Sequence, residues 1–179
     1  LSSLQSLENG ANISVAIHPA TYLNKFLIGY ANGSMELWNV RKAKLVYNFR
    51  SQVQFFEALD ADDDESDIFG NGSVTRGRSK VTVPGISCIE QSPAVDVVAV
   101  GFSDGHILLM NLKLDKVLFA FKQDGGKVTS LSFRTDKAAE QFPYMASSST
   151  DGRVHVWNLG TKDNSDDAGN GSDDDSETG

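Results

Sequence analysis

The stretch YMASSSTDGRVHVWNL, residues 144–159, contains a pattern that occurs three times in this chain. The other copies are FLIGYANGSMELWNV, residues 26–40, and VAVGFSDGHILLMNL, residues 98–112. Each copy is typical of two strands joined by a glycine turn, and it ends in a large apolar residue, asparagine and an aliphatic residue. The shared positions are the turn residues Gly33, Asp104, Gly105, Asp151 and Gly152 and the strand-end pairs Trp38 and Asn39, Met110 and Asn111, and Trp157 and Asn158. An internal repeat of this kind restricts the architecture more than any single residue does.

Short strands flank each copy of the pattern, and no helical periodicity extends over a useful length. The first repeat predicts strands at 13–18, 25–30, 34–40 and 44–49. The second predicts 86–89, 97–101, 106–112 and 116–121, and the third predicts 127–133, 144–148 and 153–159 with no fourth strand. The Asp-Gly pairs at the turns supply the positive φ that tight hairpins need.

The glycine spacing indicates a WD40 β-propeller, an all-β fold. Gly105 and Gly152 are 47 residues apart, and Gly33 and Gly105 are 72 apart, or 40 once residues 52–83 are set aside. WD40 repeats have about 40–45 residues. The predicted units are a first repeat at 1–51, an insertion at 52–83, a second repeat at 84–124, a third repeat at 125–160 and a tail at 161–179. Three repeats make an incomplete ring, because propellers close with about 4–8 blades. The chain expressed alone is therefore expected to aggregate or to fold loosely.

Acidic residues are concentrated in two runs. Residues 57–67 and 163–177 each hold seven of the 24 Asp and Glu residues, so the rest of the chain has a positive balance despite the overall net charge of −8. Such runs bury too little apolar surface to order themselves, which predicts a disordered insertion and a disordered tail. Four residues of the insertion, Phe55, Phe56, Ile68 and Phe69, are apolar exceptions. A docking motif is the alternative interpretation of those four.

The residues needed for catalysis or ligand binding do not form a recognisable set. One cysteine, Cys88, and three scattered histidines build no zinc site of the usual spacing. Residues 72–79 approach the P-loop pattern, but Arg78 replaces its lysine and neither a buried strand before it nor a helix after it is predicted. No apolar run reaches the roughly 20 residues of a membrane span. We predict no catalytic residues, cofactor, metal, small-molecule substrate or membrane partner.

Basic residues recur between the third and fourth strands of a repeat. Arg41, Lys42 and Lys44 occupy this place in the first repeat, and Lys113 and Lys116 occupy it in the second. Equivalent positions in a propeller lie on the same rim, so these five residues form a candidate contact surface, called here the basic rim. An RNA or an acidic protein would suit it. Ordinary solvated lysines at turns are the simpler interpretation.

The repeats also depart from the WD40 consensus. All three copies have asparagine where the consensus has aspartate, and neither later repeat opens with Gly-His. The side-chain network that His, Asp and Trp form in many WD40 blades is therefore expected to be incomplete. At their repeat positions Trp38 and Trp157 are expected to pack between sheets.

Three stretches resemble one particular WD40 family. HPATYLNKFLIGYANGSMELWNVRKAKLVYNF (18–49), QSPAVDVVAVGFSDGHILLMNL (91–112) and FKQDGGKVTSLSFRTD (121–136) are similar to the U3 snoRNA-associated WD-repeat family of the UTP-B subcomplex, part of the small-subunit processome. The resemblance covers about 100 of the 179 residues, and the acidic runs lie outside it. Gly125 departs from it, because the family is expected to have tryptophan there.

The resemblance implies a function in assembly. It implies a non-catalytic scaffold of small-subunit ribosome biogenesis, with a role in pre-rRNA processing and 18S rRNA maturation in the nucleolus of the nucleus. The implied partners are other WD40 proteins of the same complex, together with pre-rRNA or snoRNA. The chain would then be an internal piece of a first propeller. A WD40 peptide-binding adaptor of another intracellular complex is the alternative.

Overall fold

Three antiparallel sheets form the body of the molecule. The computed structural model describes residues 11–64, 82–136 and 143–160. The first sheet has the order β1 (Ile13–Ile17), β2 (Lys25–Tyr30), β3 (Met35–Asn39) and β4 (Lys44–Asn48). The second has β5 (Ile86–Gln91), β6 (Val97–Phe102), β7 (His106–Asn111) and β8 (Lys116–Lys122). The third has β9 (Val128–Phe133), β10 (Tyr144–Ser149) and β11 (Val154–Asn158). These bounds agree closely with the predicted strands.

Each sheet is a meander in which consecutive strands pair, and the sheets follow one another side by side. The first strand of each sheet packs beside that of the next, β1 beside β5 and β5 beside β9. The last strands, β4 and β8, are largely exposed. This is the arrangement of propeller blades, with the first strands inside and the last strands outside.

The second sheet lies between the other two, and its sequence reflects this position. Alternate residues of a strand point to opposite faces. Val98 and Val100 of β6 therefore pack with Leu27 and Met35 of the first sheet, whereas Ala99 packs with Met145 of the third. Because both faces are covered, β6 and β7 read as nearly continuous apolar runs, VVAVGF and HILLMN. In β11 the exposed and half-buried residues alternate.

The two ends of the sheets carry different connections. At one end, called here the upper end, lie the β2–β3, β6–β7 and β10–β11 turns. At the other, the lower end, lie the β1–β2, β3–β4, β5–β6 and β7–β8 connections. The lower ends of the first two sheets are adjacent, since the Thr21 hydroxyl donates to Asp96 Oδ1 over 3.5 Å.

One prediction differs from the structure. The insertion at 52–83 was expected to be disordered throughout, but Ser51–Asp64 forms a helix, α1. Phe56 is buried in the core between the first and second sheets, with its ring centroid 5.0 Å from that of Phe102. Phe55 packs against the same core. The prediction of disorder is therefore wrong for α1, while residues 65–81 and the acidic tail at 161–179 lie outside the described residues.

The helix is stabilised by contacts with the second sheet rather than by its own sequence. It has no acidic residue in its first turn, no basic residue in its last turn and a weak amphipathic pattern. Asp60, Asp62, Asp63 and Asp64 lie near its C-terminus, where negative charge opposes the helix dipole. Burial of Phe56 compensates for this, because an isolated helix of this length is marginal in water.

Deleting residues 57–80 is expected to change the stability of the full-length protein only slightly. The deletion keeps Phe55 and Phe56, and the side chains from Glu57 to Ala61 are exposed. We expect the apparent melting temperature to stay close to that of the wild type. A deletion of 52–80, which also removes both phenylalanines, is the matched comparison and should lower it clearly. Equal losses in the two deletions would show that the anchor lies beyond Phe56.

Candidate functional site

In the upper turns, the residues that recur in each repeat hold the turn together by local hydrogen bonds. Asn32, Asp104 and Asp151 each accept, through Oδ1, the backbone N–H of the residue two positions later, over 3.0–3.1 Å. The glycine that follows each of them has a positive φ between 81° and 93°. The side chain and the glycine together fix a tight turn between two strands. The Asp and Gly residues of the repeat therefore have a structural role in the turns.

The asparagines at the strand ends hold the lower connections. Asn39 Oδ1 accepts the backbone N–H of Lys42 over 3.0 Å, and Asn111 Oδ1 accepts that of Leu114 over 2.9 Å. Asn158 Oδ1 accepts the N–H of Gly160 over 2.9 Å. A neutral amide oxygen makes these bonds as an aspartate would. The replacement of the consensus aspartate therefore leaves the turn intact.

The two tryptophans are structural, and each has a hydrogen-bond partner for its indole N–H. Trp157 donates to Ser147 Oγ over 2.9 Å, and Ser147 in turn donates to Gln123 Oε1 over 2.7 Å. The Trp157 ring lies 5.1 Å from that of Phe121, between the second and third sheets. The side-chain network that His, Asp and Trp form in many WD40 blades was expected to be incomplete here. In the third sheet, Gln123 takes part in a network with Ser147 and Trp157 instead.

Trp38 is buried on the face of the first sheet that points away from the second. It clusters there with Ile28 and Tyr30. Its indole N–H donates to Glu36 Oε2 over 2.7 Å, and the Tyr30 hydroxyl donates to the same oxygen over 2.6 Å. Its burial is as expected. That it packs between two sheets stays a prediction, because this cluster contains no residue of the second or third sheet. Met110, at the same repeat position in the second sheet, lies in the core. It needs no hydrogen-bond partner, because its side chain has no N–H group.

A polar cluster lies at the upper end of the second sheet, under α1. His106 Nδ1 is 2.6 Å from Asp104 Oδ2, and Lys122 Nζ is 3.4 Å from the same oxygen. The rings of Phe55 and Phe56 meet His106 edge-on at 6.0 and 5.2 Å. Although burial alone would raise the pKa of Asp104, the hydrogen bonds from His106 and the charges nearby hold it below its usual value. The cluster therefore supports the helix and offers no free nucleophile.

Asp115, in the β7–β8 connection, caps the N-terminus of α1 from the neighbouring sheet. Its carboxylate accepts the backbone N–H groups of Arg50 and Ser51 over 3.0 and 3.2 Å and the Tyr47 hydroxyl over 3.0 Å. Partial burial raises the pKa of Asp115, but these hydrogen bonds outweigh burial and lower it overall. A carboxylate in this position satisfies amides that a helix cannot satisfy itself.

The docking of α1 is expected to weaken in acid. A carboxyl group whose pKa is lower in the folded state stabilises that state above its unfolded pKa of about 3.9, and the stabilisation is lost as pH falls through the folded value. Hydrogen exchange of the α1 amides, corrected for intrinsic rates, should therefore show less protection at pH 3 than at pH 6. In Asp115→Asn this pH dependence of α1 protection should be smaller. The remaining pH dependence should come from Asp104, whose pKa is also lowered. An unchanged dependence in Asp115→Asn would contradict the capping role.

The residues of the basic rim lie at the lower end, in equivalent connections. Arg41, Lys42 and Lys44 lie at the β3–β4 connection, and Lys113 and Lys116 lie at the β7–β8 connection. All five side chains are exposed, and none forms a salt bridge with another residue that the structure describes. The fold thus brings them to one end of two adjacent sheets.

The described residues give no indication of a metal site, a reactive cysteine or a membrane-spanning helix. Within 11–64, 82–136 and 143–160, no group of three or more His, Cys, Asp or Glu side chains could hold a metal ion. Burial raises the pKa of the Cys88 thiol to about 11, so it is protonated at neutral pH and unreactive. No helix among these residues is long and apolar enough to cross a membrane.

A sequence-family profile described as the WDR36/Utp21 first beta-propeller matches residues 1–168. The chain belongs to this family. It is 37% identical over 150 residues to WD repeat-containing protein 36 of Homo sapiens, covering 84% of the chain and 13% of that protein. It is 36% identical over 149 residues to the U3 small nucleolar RNA-associated protein 21 homolog of Schizosaccharomyces pombe, covering 83% of the chain and 13% of the relative. The WDR36/Utp21 chain described here thus spans about one eighth of the length of these relatives.

Solved structures confirm the fold of this WDR36/Utp21 chain. The crystal structure of RRP9 WD40 repeats superposes with a TM-score of 0.56 at 16% identity, covering 84% of the chain and 36% of that structure. The structure of U3-55K gives a TM-score of 0.57 at 16% identity, with 84% and 37% covered. The predicted WD40 β-propeller is confirmed, and the family that the sequence resembled is the family to which the chain belongs.

Two structural features of the family chain were missed from the sequence. The first is the capping of α1 by Asp115, which joins residues 65 positions apart. The only sequence signal for this cap is the presence of Asp115 at the position where the first repeat has Ala43. Both residues have a positive φ. The second is the role of Gln123, which could have been suspected because it directly precedes the Asp124-Gly125-Gly126 connection at the start of the third repeat.

Proposed function

We propose that this chain is part of a non-catalytic scaffold that assembles small-subunit ribosome precursors in the nucleolus. The observation that carries the proposal is the family match over residues 1–168, together with relatives whose names describe them as U3 small nucleolar RNA-associated. The Saccharomyces cerevisiae relative, U3 small nucleolar RNA-associated protein 21, is 26% identical over 134 residues, covering 75% of the chain and 11% of that protein.

The geometry supports a scaffold rather than an enzyme. The polar residues of the repeat are engaged in holding turns, as Asn39, Asp104 and Asn111 do. The half-buried Trp157 and the buried Ser147 and Gln123 form a network that fixes the third sheet to the connection before it. A packed body with exposed loops suits the binding of partners. The partners that we propose are other WD40 proteins of the same complex, with pre-rRNA or snoRNA as a further contact.

Affinity purification of the full-length protein tests the assignment. We expect tagged protein from cells to recover other propeller proteins together with a box C/D small nucleolar RNA. An unrelated WD40 protein with the same tag, expressed at the same level, is the control. Recovery of a defined protein complex with no small nucleolar RNA above the control would favour the adaptor of another pathway.

A further inference from the structure

The lower end of the first two sheets exposes large aliphatic side chains as well as cations. Leu23 is 81% exposed, Val95 69% and Leu114 67%. Leu23 and Val95 hold equivalent positions, each just before a residue with positive φ, Asn24 and Asp96. The turns themselves do not need a large apolar residue there, because the side chains contribute nothing to the core. Their repeated exposure to water is a cost that binding of a partner would remove.

Cations lie among these aliphatic side chains. Leu23, Arg41 and Lys42, with Asn24 and Asn39, line a surface depression of about 430 Å³. In the second sheet Lys113 directly precedes Leu114. The carboxylates of this region are already engaged, Asp96 by Thr21 and Asp115 by the start of α1. These carboxylates keep their charge, but in the described part of the chain neither forms a salt bridge with Arg41, Lys42 or Lys113. The three cations can therefore pair with a ligand.

The loops that carry these residues are held in place. The Val40 N–H donates to the Asn24 carbonyl over 2.9 Å, so the β3–β4 connection is fixed to the β1–β2 loop. The Leu112 N–H donates to the Asp96 carbonyl over 2.7 Å in the equivalent place of the second sheet. A pre-ordered surface loses little conformational entropy when it binds.

The upper end contrasts with this surface. Its turns at 31–34, 103–105 and 150–153 contain none of the large hydrophobic side chains that are exposed in the described part of the chain. They contain the acidic residues Asp104 and Asp151 instead. Exposed aliphatic side chains do occur beside these turns, as Val154 does at 67%. In the first two sheets, however, such side chains lie next to cations in equivalent connections at the lower end.

We propose that Leu23, Arg41, Lys42, Val95, Lys113 and Leu114, the basic-aliphatic surface, bind an acidic protein segment that carries aliphatic side chains. This inference rests on the proposed scaffold function and names the partner class of one face. Carboxylates of the segment would pair with the three cations, and its aliphatic side chains would cover Leu23, Val95 and Leu114.

RNA suits this surface less well. Single-stranded RNA is bound through aromatic side chains on which bases stack, in combination with cations. The three most exposed apolar residues here are aliphatic. Tyr47 is exposed nearby, but its hydroxyl is held by Asp115 and its ring packs edge-on against Phe49 at 5.0 Å. Tyr22 is only half-exposed, with Lys25 lying over its ring at 5.0 Å. The chain's own acidic run at 163–177 offers charge but, with Ala168 as its sole apolar residue, no large aliphatic side chain to cover the three exposed ones.

Site-specific photo-crosslinking in cells tests the proposal. A photoreactive amino acid is placed at Leu23 or at Leu114 of the full-length protein, and cross-linked peptides are identified by mass spectrometry. We expect adducts to a segment of another protein that has an excess of Asp and Glu and contains aliphatic residues. The double variant Arg41→Glu with Lys113→Glu should reduce the yield about tenfold, as expected for loss of charge pairs at an interface. Lys127→Glu, an exposed lysine at the upper end, is the matched control and should leave the yield unchanged.

The other outcomes overturn the proposal. Adducts that ribonuclease removes would assign the surface to RNA, and adducts to residues 57–67 or 163–177 would assign it to the chain's own acidic runs. A yield no higher than that from a probe at Ser103 in an upper turn would show a merely solvated face. Because small nucleolar RNA recovery is measured separately, failure here leaves the scaffold function standing. Leu114→Ser should also lose the protein adduct formed at Leu23, whereas Leu114→Met should keep it.

Discussion

Phe56→Ala in the full-length protein is expected to undock α1. Phe56 is 6% exposed and packs on Phe102 and His106 with ring centroids 5.0 and 5.2 Å away. Replacing a buried phenylalanine with alanine costs about 3–5 kcal/mol. If the loss falls on the docking equilibrium, a cost of about 3 kcal/mol speeds hydrogen exchange of the α1 amides by roughly 100-fold.

Glu57→Ala is the control for this variant, because Glu57 is the next residue of the helix and is exposed. It should change exchange very little, as surface substitutions usually stay within about 0.5 kcal/mol. Similar exchange in Phe56→Ala and in the wild type would contradict the packing described here. Faster exchange throughout the second sheet would show that α1 and the sheet unfold together.

Gly105→Val is expected to be more harmful than Gly152→Val. Both glycines have positive φ, 93° and 84°, which a β-branched residue adopts only with strain of roughly 1–3 kcal/mol. At Gly152 a Cβ would meet nothing within 4 Å, so strain is the whole cost. At Gly105 it would lie 2.7 Å from the Gln123 carbonyl oxygen, which belongs to the backbone and cannot move freely.

The damage at Gly105 should also reach the third sheet. The Gln123 N–H donates to the Gly105 carbonyl over 3.1 Å, and the Gln123 side chain accepts from Ser147. We therefore expect Gly105→Val to lower the apparent melting temperature and soluble yield of the full-length protein well below those of Gly152→Val. Gly105→Ala should likewise be more harmful than Gly152→Ala, with smaller losses than in the valine variants. Equal losses would show that the overlap with Gln123 relaxes at no cost.

The strands could be predicted because their signals are local. Turn glycines such as Gly105, and apolar runs such as that of β6, need no knowledge of distant residues. Because alternate residues of a strand point to opposite faces of the sheet, the neighbouring sheet that each residue contacts can be deduced. This requires knowing that the second sheet lies between the other two. The exposure of Arg41 and Lys113 follows in the same way from their place in turns.

The helix could not be predicted because its stabilising contacts are distant in sequence. The acidic residues from Asp60 onward suggested disorder, and the cap comes from Asp115 in another sheet. Phe55 and Phe56 were the one local signal, and they were considered only as a docking motif. The hydroxyl of Ser147 and the amide of Gln123 were missed for the same reason, since they meet across 24 residues.

The central claim, a scaffold role in small-subunit ribosome assembly, is tested most directly by measuring ribosomal RNA after depletion of the full-length protein. We expect 18S rRNA to fall and its precursors to accumulate, while the large-subunit RNA is much less affected. Re-expression of the wild type should restore the ratio, and re-expression of Gly105→Val should not. Normal 18S rRNA processing in depleted cells would contradict the assignment.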